Sequence, residues 1–572
     1  MQNEKTRNDP KNVIARPEGP KQCPLVVRIC MVSLAVLLTA VLTRLLLFDT
    51  VFAYPGSDLN ETLPILQQIK NQLLLKQDLF YGIPSYNSLF HSMLISADQW
   101  NVLPQALFVL VLLSHCLVIL SFLFLVTSKI REQSGIEVFL FLIAISAAFG
   151  EHLFGIDIVS PAFHPQSPAY AFLIFSLVSK LVLNNIGLCY LSAIGCAFFH
   201  PLLGIYNLGL IFLTVSFSKH KKKEILGVLG LSLLIYLLLV RPTLSRVGIH
   251  AQPSVMKTYS NILLYARIPH HLLPASWSAD YLVKCATVAL LGLYFSAKVS
   301  REIFFCYLFV FAIILIGVLN NSFVGIPSII FANPLKMGAV LLFFFWVSMT
   351  VFFFNTQKTY HHLLILVLVF TWIQYRYPLP EYRRYFSLSI LSLLSCYAIM
   401  HHHRKVVKPA FIVMALCFLA LVPWKYLCQT LIRQIESSKE WRDLCRKTAS
   451  VVPPDSLVIV SPAIEDFQLC TLRPTFVDFK HFPYDPSRAL EWYRRLSLLG
   501  VFPRYSENEL HHMKRLIPFN PERYHRLSFR EVLAIKKRYP ISGFMVTEAT
   551  QTFPFEVLVE NSKYKLYRLP TF

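Results

Sequence analysis

The sequence predicts an α-helical polytopic membrane protein, with about 13 transmembrane or partly buried helices, followed by a noncytoplasmic α/β domain. Three observations predict it. Of 572 residues, 55% are hydrophobic and the mean hydropathy is +0.52, more apolar surface than a water-soluble fold can hide. Apolar runs recur through the first three quarters, and ~20 residues at ~1.5 Å rise cross a hydrocarbon core of ~30 Å. Lysine and arginine fall largely on alternate connections between those runs, the pattern of positive-inside topology.

In chain order, residues 1–24 are polar, carry four prolines and show no apolar period, and they read as a disordered cytoplasmic arm. Residues 25–48 form a first span with no small-residue cleavage motif at its end, so a retained helix is expected rather than a signal peptide. Further spans are expected at 103–127, 136–150, 167–183, 186–199, 202–217, 225–240, 281–297, 303–319, 334–354, 362–376, 386–400 and 409–428. The membrane domain thus runs over 25–429. Lys129 and Arg131, "SKHKKKE" at 218–224, "KVSRE" at 298–302, Lys358 and "HHHRKVVK" at 401–408 share the N-terminal side, and "EYRR" at 381–384 is the exception. The tail, 430–572, then lies outside the cytoplasm, with the long connections 49–102, 151–166, 241–280 and 320–333 on its side.

Within the tail, a helical stretch is expected at 430–450, strands at 456–461 and 474–479, helices in "SRALEWYRRLSLLG" and at 528–538, and strands in "GFMVTE" and "YKLYRL". The net charge of +22 is spread between apolar spans instead of gathered on one soluble face. That pattern argues for attraction to anionic membrane lipids and against nucleic acid. Twelve cysteines are scattered without a CxxC pair, and only Cys445 and Cys470 fall in the tail, where a disulfide is possible.

Chemistry is expected on the side of the long connections. "YPGSDLNETLP" sets Asp58 and Glu61 three residues apart, on one face if the segment is helical. There they serve as a base or cation ligands, or Asp58 simply caps the helix. "GEHLFGIDIVSPAFHP" adds Glu151, His152 and Asp157 at a span terminus, where an acid is costly unless paired or solvated. "LLKQDLFYGIPSYNSLF" reads as an amphipathic interfacial stretch, with Phe80 and Tyr81 as belt anchors. His200-Pro201 interrupts an apolar run, and His200 is expected to donate to the carbonyls that proline frees. In "RIPHHLLPASW", adjacent histidines make a poor two-ligand metal site. Arg267, His270 and His271 suit a lipid phosphate, or the loop merely anchors Trp277 in the interface. In "PAIEDFQLCTLRPTFVDFKHFPY", Glu465, Asp466, Arg473, Asp478 and Lys480 read either as an ion-paired surface or as part of a lid.

Taken in order, "PGSDLNETLP", "LKQDLFY", "AFFHPLLG", "RIPHHLLPASW", "DSLVIVSPAIEDFQLCTLRPTFVDFKHFPY" with "EWYRRL", and "FPFEVLVENSKYKLYRLP" span nearly the whole chain. The chain resembles bacterial polytopic proteins with a domain of unknown function that look like distant members of the GT-C glycosyltransferase superfamily. The resemblance implies a sugar donor on polyprenyl phosphate, an acceptor not specified, and a bacterial inner-membrane enzyme with a periplasmic tail. It implies Asp58 as base with Glu61 beside it, and Glu151, His152 and Asp157 as the second acidic loop. A divalent cation, Mg or Mn, would be held by Asp58, Glu151 and Asp157, although no DxD is present. Arg267, His270 and His271 would contact donor phosphate. A transporter or flippase of a lipid-linked or anionic solute, or a noncatalytic scaffold, stays open beside it.

Overall fold

The structure, a computed structural model, describes residues 32–34, 36, 37, 39–41, 44, 52–54, 59–71, 74–81, 88–130, 153, 163–218, 221–241, 252–355, 432–434, 438–483 and 485–571. The spans expected at 136–150, 362–376, 386–400 and 409–428 lie outside the described residues. Among the described residues, five helices are long and apolar enough to cross a membrane: Leu103–Lys129, Lys221–Val240, Ala279–Val299, Arg301–Val324 and Pro327–Phe352. The count expected from sequence therefore rests on shorter pieces and on residues outside this set.

Strand β1 (Phe52–Tyr54) precedes helices α1 (Leu59–Lys70), α2 (Ser88–Gln99) and α3 (Leu103–Lys129). Then follow α4 (Gln166–Leu181), α5 (Ile186–Phe199), α6 (Pro201–Val215) and α7 (Lys221–Ile235), the last extended by a π turn to Val240. Next come α8 (Pro253–Ile262) with a π turn over Leu263–Arg267, α9 (Ala279–Val299), and α10 (Arg301–Leu319) with a π turn to Val324. Two further helices, α11 (Pro327–Ala332) and α12 (Gly338–Asn355), complete the described bundle. At two of the helix starts a side chain satisfies an exposed amide. Asn185 accepts from Leu188 N and Ser300 from Ile303 N, each three residues on.

The bundle has a basic end. Asn355 donates to Lys129 O, Lys129 acts electrostatically on Glu302, Arg301 lies over the Phe217 ring, and Lys180 pairs with Glu224 at 2.7 Å. Lys221, Lys222 and Lys223 open α7 beside that pair. The tail docks at the other end, a full α10 length away.

The tail is a sheet with helices on both faces. Strand β2 (Ile432–Gln434) pairs in parallel with β1, Phe52 opposite Ile432. Helix α13 (Lys439–Val451) then leads to β3 (Leu457–Ile459), α14 (Phe467–Thr471), α15 (Pro486–Leu498), α16 (Glu507–His511), α17 (Phe529–Arg538), β4 (Ser542–Glu548), β5 (Glu556–Glu560) and β6 (Tyr564–Arg568). The order is β3-β4-β6-β5, with β3 parallel to β4 and the other pairs antiparallel. Alternate side chains sort between the faces as a period of two requires. Val458, Val460, Phe544 and Val546 meet Trp441, Leu444 and Phe467, while Leu457, Ile459 and Met545 meet Trp492 and Val532. That second cluster also takes in Tyr259, Ile262 and Ala266 of α8 and its π turn, so one core is shared between bundle and tail.

Two local expectations are corrected. The helix expected over 430–450 starts only at Lys439, because Ser438 accepts from Trp441 N at 3.2 Å and so sets the first turn there. The strand expected at 474–479 is reduced to one parallel bridge between Thr475 and Val458. Beyond it Asp478 turns the chain back by accepting from His481 N at 2.7 Å. Strand β5 was not anticipated.

Cys445 and Cys470 form a disulfide that joins α13 to α14, with Cα atoms 5.7 Å apart. Closing a chain segment of 25 residues stabilises by about 3 kcal/mol through the unfolded state. Replacing both with serine should lower the thermal midpoint of the tail transition by about 10 °C. Non-reducing peptide mapping should recover the linked pair.

Candidate functional site

The site is built where two bundle connections meet one strip of the tail, Phe467–Phe482. The first connection is the turn after α1. Its "LKQDLFY" stretch is not the surface helix expected. Leu75 takes a left-handed backbone at φ 56°, and Asp78 N donates to Leu75 O at 3.0 Å. Asp78 then accepts from two amides of its own turn on Oδ1, Phe80 N at 2.9 Å and Tyr81 N at 3.3 Å. On Oδ2 it accepts from Thr475, N at 3.1 Å and Oγ1 at 3.4 Å. Phe80 and Tyr81 are buried against the His481 ring, at 5.6 and 5.1 Å between centroids, and are not belt anchors. Arg488 completes the fastening by donating to Leu79 O at 3.2 Å.

Behind Asp78 the network continues into the tail. Gln468 Nε2 donates to Asp478 Oδ2 at 2.8 Å and to Thr475 Oγ1 at 2.7 Å, and His481 Nδ1 lies 2.8 Å from Asp478 Oδ2. Asp78, Gln468, Asp478 and His481 are all buried. Burial, and then the negative charge of Asp478, raise the Asp78 carboxyl above the usual carboxylate range. At Asp478 burial pushes the same way, but the charge and two hydrogen bonds of His481, with the Gln468 amide, outweigh it and hold the carboxyl low. Of the neighbouring residues expected to form an ion-paired surface, Glu465 and Lys480 do pair, at 3.9 Å, and the half-buried Asp466 and Arg473 bond within the tail. Asp466 accepts from Trp441 Nε1 at 3.0 Å, and Arg473 closes the end of α13 by donating to Ala449 O and Val452 O.

The second connection is the π turn and the "RIPHHLLPASW" loop. The turn closes with Ile268 N donating to Leu263 O at 3.0 Å. The extra residue in a π turn re-aims the side chains that follow it. Arg267 Nη2 thereby donates to Lys480 O at 2.8 Å, and the guanidinium lies 4.9 Å from the centre of the Phe479 ring. Asn261 donates to Leu510 O and His511 O at the end of α16, and Ile517 N donates to Tyr265 O. The loop itself is folded on local bonds. Trp277 Nε1 donates to His270 O at 2.9 Å, Ser276 Oγ to Pro269 O and Leu273 O, and Asn321 Nδ2 to Leu272 O. His270 is exposed and its ring lies against that of His271, tilted by 46° with ring centres 4.1 Å apart. Partial desolvation, and then Arg267, push the His270 pKa down, which favours a neutral imidazole at neutral pH.

Of the residues singled out from sequence, Arg267 is thus placed on the docking face, and His270 and His271 lie on the short turn that follows it. Arg267 is engaged by the tail, and Trp277 ties the loop instead of serving only as an interface anchor. Glu61 lies in α1, the helix that packs on α14 of the tail. Asp58, Glu151, His152 and Asp157 lie outside the described residues. Among the described residues no group of three His, Cys, Asp or Glu side chains is arranged to hold a metal ion. Sequence reasoning missed Gln468, Thr475 and His481, which carry no motif and gain meaning only from Asp78, some 390 residues away in sequence.

His200 also departs from expectation. It does not donate to freed carbonyls. Its backbone N closes α5 on Cys196 O at 2.9 Å, and its Nδ1 accepts from Leu203 N at 3.3 Å to cap α6. Gly204 permits the sharp break, since a Cβ there would sit 2.5 Å from Ala197 Cβ. The other ring nitrogen, Nε2, lies 3.0 Å from Lys336 Nζ.

Fold and docking face together define a mostly helical chain with candidate membrane spans and a small α/β domain fastened to one end. Residues 439–499, which hold both disulfide cysteines and the docking strip, match a family described as a domain of unknown function (DUF6798). No curated protein matches the chain.

The opposite shifts of the two aspartates give the docking a pH signature. A raised folded-state pKa at Asp78 contributes stability below the ordinary carboxylate value and loses it as pH rises through the raised one. A lowered pKa at Asp478 contributes above the ordinary value and loses it as pH falls. Docking should therefore be tightest between the two, and the Thr475 amide should exchange hydrogen faster as pH rises past the Asp78 titration, after correction for intrinsic exchange. Asp478→Asn should cost about 3 kcal/mol, because it leaves His481 buried without its carboxylate. Denaturant unfolding of the purified protein checks that cost.

Proposed function

We propose that the chain is a membrane-embedded glycosyltransferase of the GT-C kind. It moves a sugar from a polyprenyl-phosphate carrier to an acceptor on the side of the membrane where the tail lies, the periplasmic side of a bacterial inner membrane. The observation that carries this reading is convergence. The connection that follows Asp58 and Glu61, and the loop of Arg267, His270 and His271, both end on one strip of the tail. The orientation is supported by the lysine-rich end opposite the tail, which suits the cytoplasmic face, and by the tail disulfide, which suits an oxidising compartment.

In this reading Asp58 accepts the proton of the acceptor hydroxyl as the hydroxyl attacks the anomeric carbon. The glycosyl–phosphate bond breaks, and the electron pair leaves with the lipid phosphate, a weak base that needs no acid. Glu61, and Glu151, His152 and Asp157 of the second acidic loop, complete the acidic face. His270 and His271 stand beside the phosphate, and Arg267 holds the tail closed over it. Lipid-phosphate release from a polyprenyl-phosphate sugar by protein in proteoliposomes tests the reading. Asp58→Asn should slow it about 10²- to 10⁴-fold, the range for loss of a general base. Equal release from Asp58→Asn, or none from the native protein with any lipid-linked sugar, counts against it.

A specific observation favours a carrier as the second reading. Arg44 and His115 are both buried in apolar helices, and neither ring nitrogen of His115 has a hydrogen-bond partner. Ionisable groups at that depth are costly and mark transport paths. In a carrier, His115→Leu should abolish uptake of an anionic solute into proteoliposomes, whereas a transferase should keep its turnover with that substitution.

A further inference from the structure

The outer end of α10 marks the level of the membrane surface. Ile316, Leu319 and Phe323 recur at helical spacing and are exposed, Phe323 to 83%, so a lipid-facing stripe runs to the end of the candidate span at Val324. One residue further, Gly325 O accepts from Lys257 Nζ of α8 at 3.1 Å. Helix α8 therefore lies against the bundle at the hydrocarbon boundary. Its π turn continues that contact through Leu264, which clusters with Leu272, Leu273 and Ile330.

Two parts of the tail meet α8 at different positions round its axis. At about 100° per residue, Asn261 and Thr258 stand about 40° and 100° round from Lys257, and Ile262 and Tyr259 about 140° and 200°. Ile262 and Tyr259, on the far side, join the core of the tail. On the flank, Asn261 donates to Leu510 O at 2.9 Å and His511 O at 2.8 Å, and Thr258 Oγ1 lies 3.4 Å from His511 Nδ1. Ile517 N then donates to Tyr265 O at 2.9 Å, so residues 510–517 are laid along α8 between the bundle end and the tail core. A helix is about 10 Å across and the headgroup layer about 5 to 8 Å deep on each side, which brings this flank to headgroup level.

The segment is sorted by side. Leu510, Met513 and Ile517 are buried, while Lys514, Arg515 and Leu516 are exposed, Leu516 to 46%. Arg515 is steadied by Tyr505, whose Oη accepts from its Nη2 at 3.1 Å and whose ring centre lies 5.7 Å away. Two cations followed by an exposed leucine suit a lipid surface, where the apolar side chain enters the boundary of the acyl chains and the cations meet phosphates.

We infer that the tail carries its own membrane contact, in which Leu516 enters the headgroup layer and Lys514 and Arg515 bind the phosphates of anionic phospholipids. The contact is separate from sugar transfer and holds equally for a carrier or a scaffold.

The test places a nitroxide on Leu516→Cys in the full-length protein, with the signal of labelled native protein subtracted. Nanodiscs of phosphatidylcholine are compared with nanodiscs of phosphatidylcholine and phosphatidylglycerol. Collision with oxygen, which concentrates in lipid, is measured against collision with a water-soluble nickel chelate. The label is expected to favour oxygen in the anionic nanodiscs, and its ratio of lipid-contacting to water-exposed states should fall about fivefold for each of Lys514→Gln and Arg515→Gln. A label that favours the nickel chelate in anionic nanodiscs overturns the inference. So does one shielded from both reagents, which would place a second protein surface over the segment. Lipid contact that is equal in the two nanodiscs, or unchanged by both substitutions in variants with native thermal midpoints, overturns it as well.

Discussion

The placement of the tail depends on one buried carboxylate. Asp78 fills its lone pairs from two chain segments, its own turn on one oxygen and Thr475 on the other. The nearest partners are backbone amides, with the Thr475 hydroxyl at 3.4 Å beside them, so the short Asp78 side chain ties two stretches of main chain together. A carboxylate removed from water is costly unless such donors surround it. The network through Gln468 to Asp478 and His481 supplies the remaining polar partners, and Phe80 and Tyr81 keep water away.

Arg267 makes the corresponding contact from the other side of the bundle, to the carbonyl of Lys480 and the face of Phe479. The two contacts fall within six residues of the tail, Thr475 to Lys480. The tail strip is therefore held at both edges, and a shared apolar core with Tyr259 and Ile262 lies behind it.

The sequence revealed those parts whose causes are local. Apolar runs at 103–127, 186–199, 281–297 and 303–319 became helices at nearly those bounds, because each run is its own reason for being helical. Cys445 and Cys470 were legible as a possible pair because no other cysteine lies in the tail. Asp78 was not legible. "LKQDLFY" has the alternation of a solvated surface, and its burial is created by a strip that lies far along the chain. The π turn that re-aims Arg267 has no sequence signature, and Phe479 is more than 200 residues from the arginine it meets.

The central claim, that the tail is fastened to the bundle through Asp78 and Arg267, is tested most directly by an electron cryo-microscopy map of the full-length protein in a nanodisc. The expected map has continuous density from Asp78 to the Thr475 amide, at about hydrogen-bond distance, and from the Arg267 guanidinium to the Lys480 carbonyl. A tail detached from the 74–81 turn, or packed against the lysine-rich end of the bundle, would contradict it.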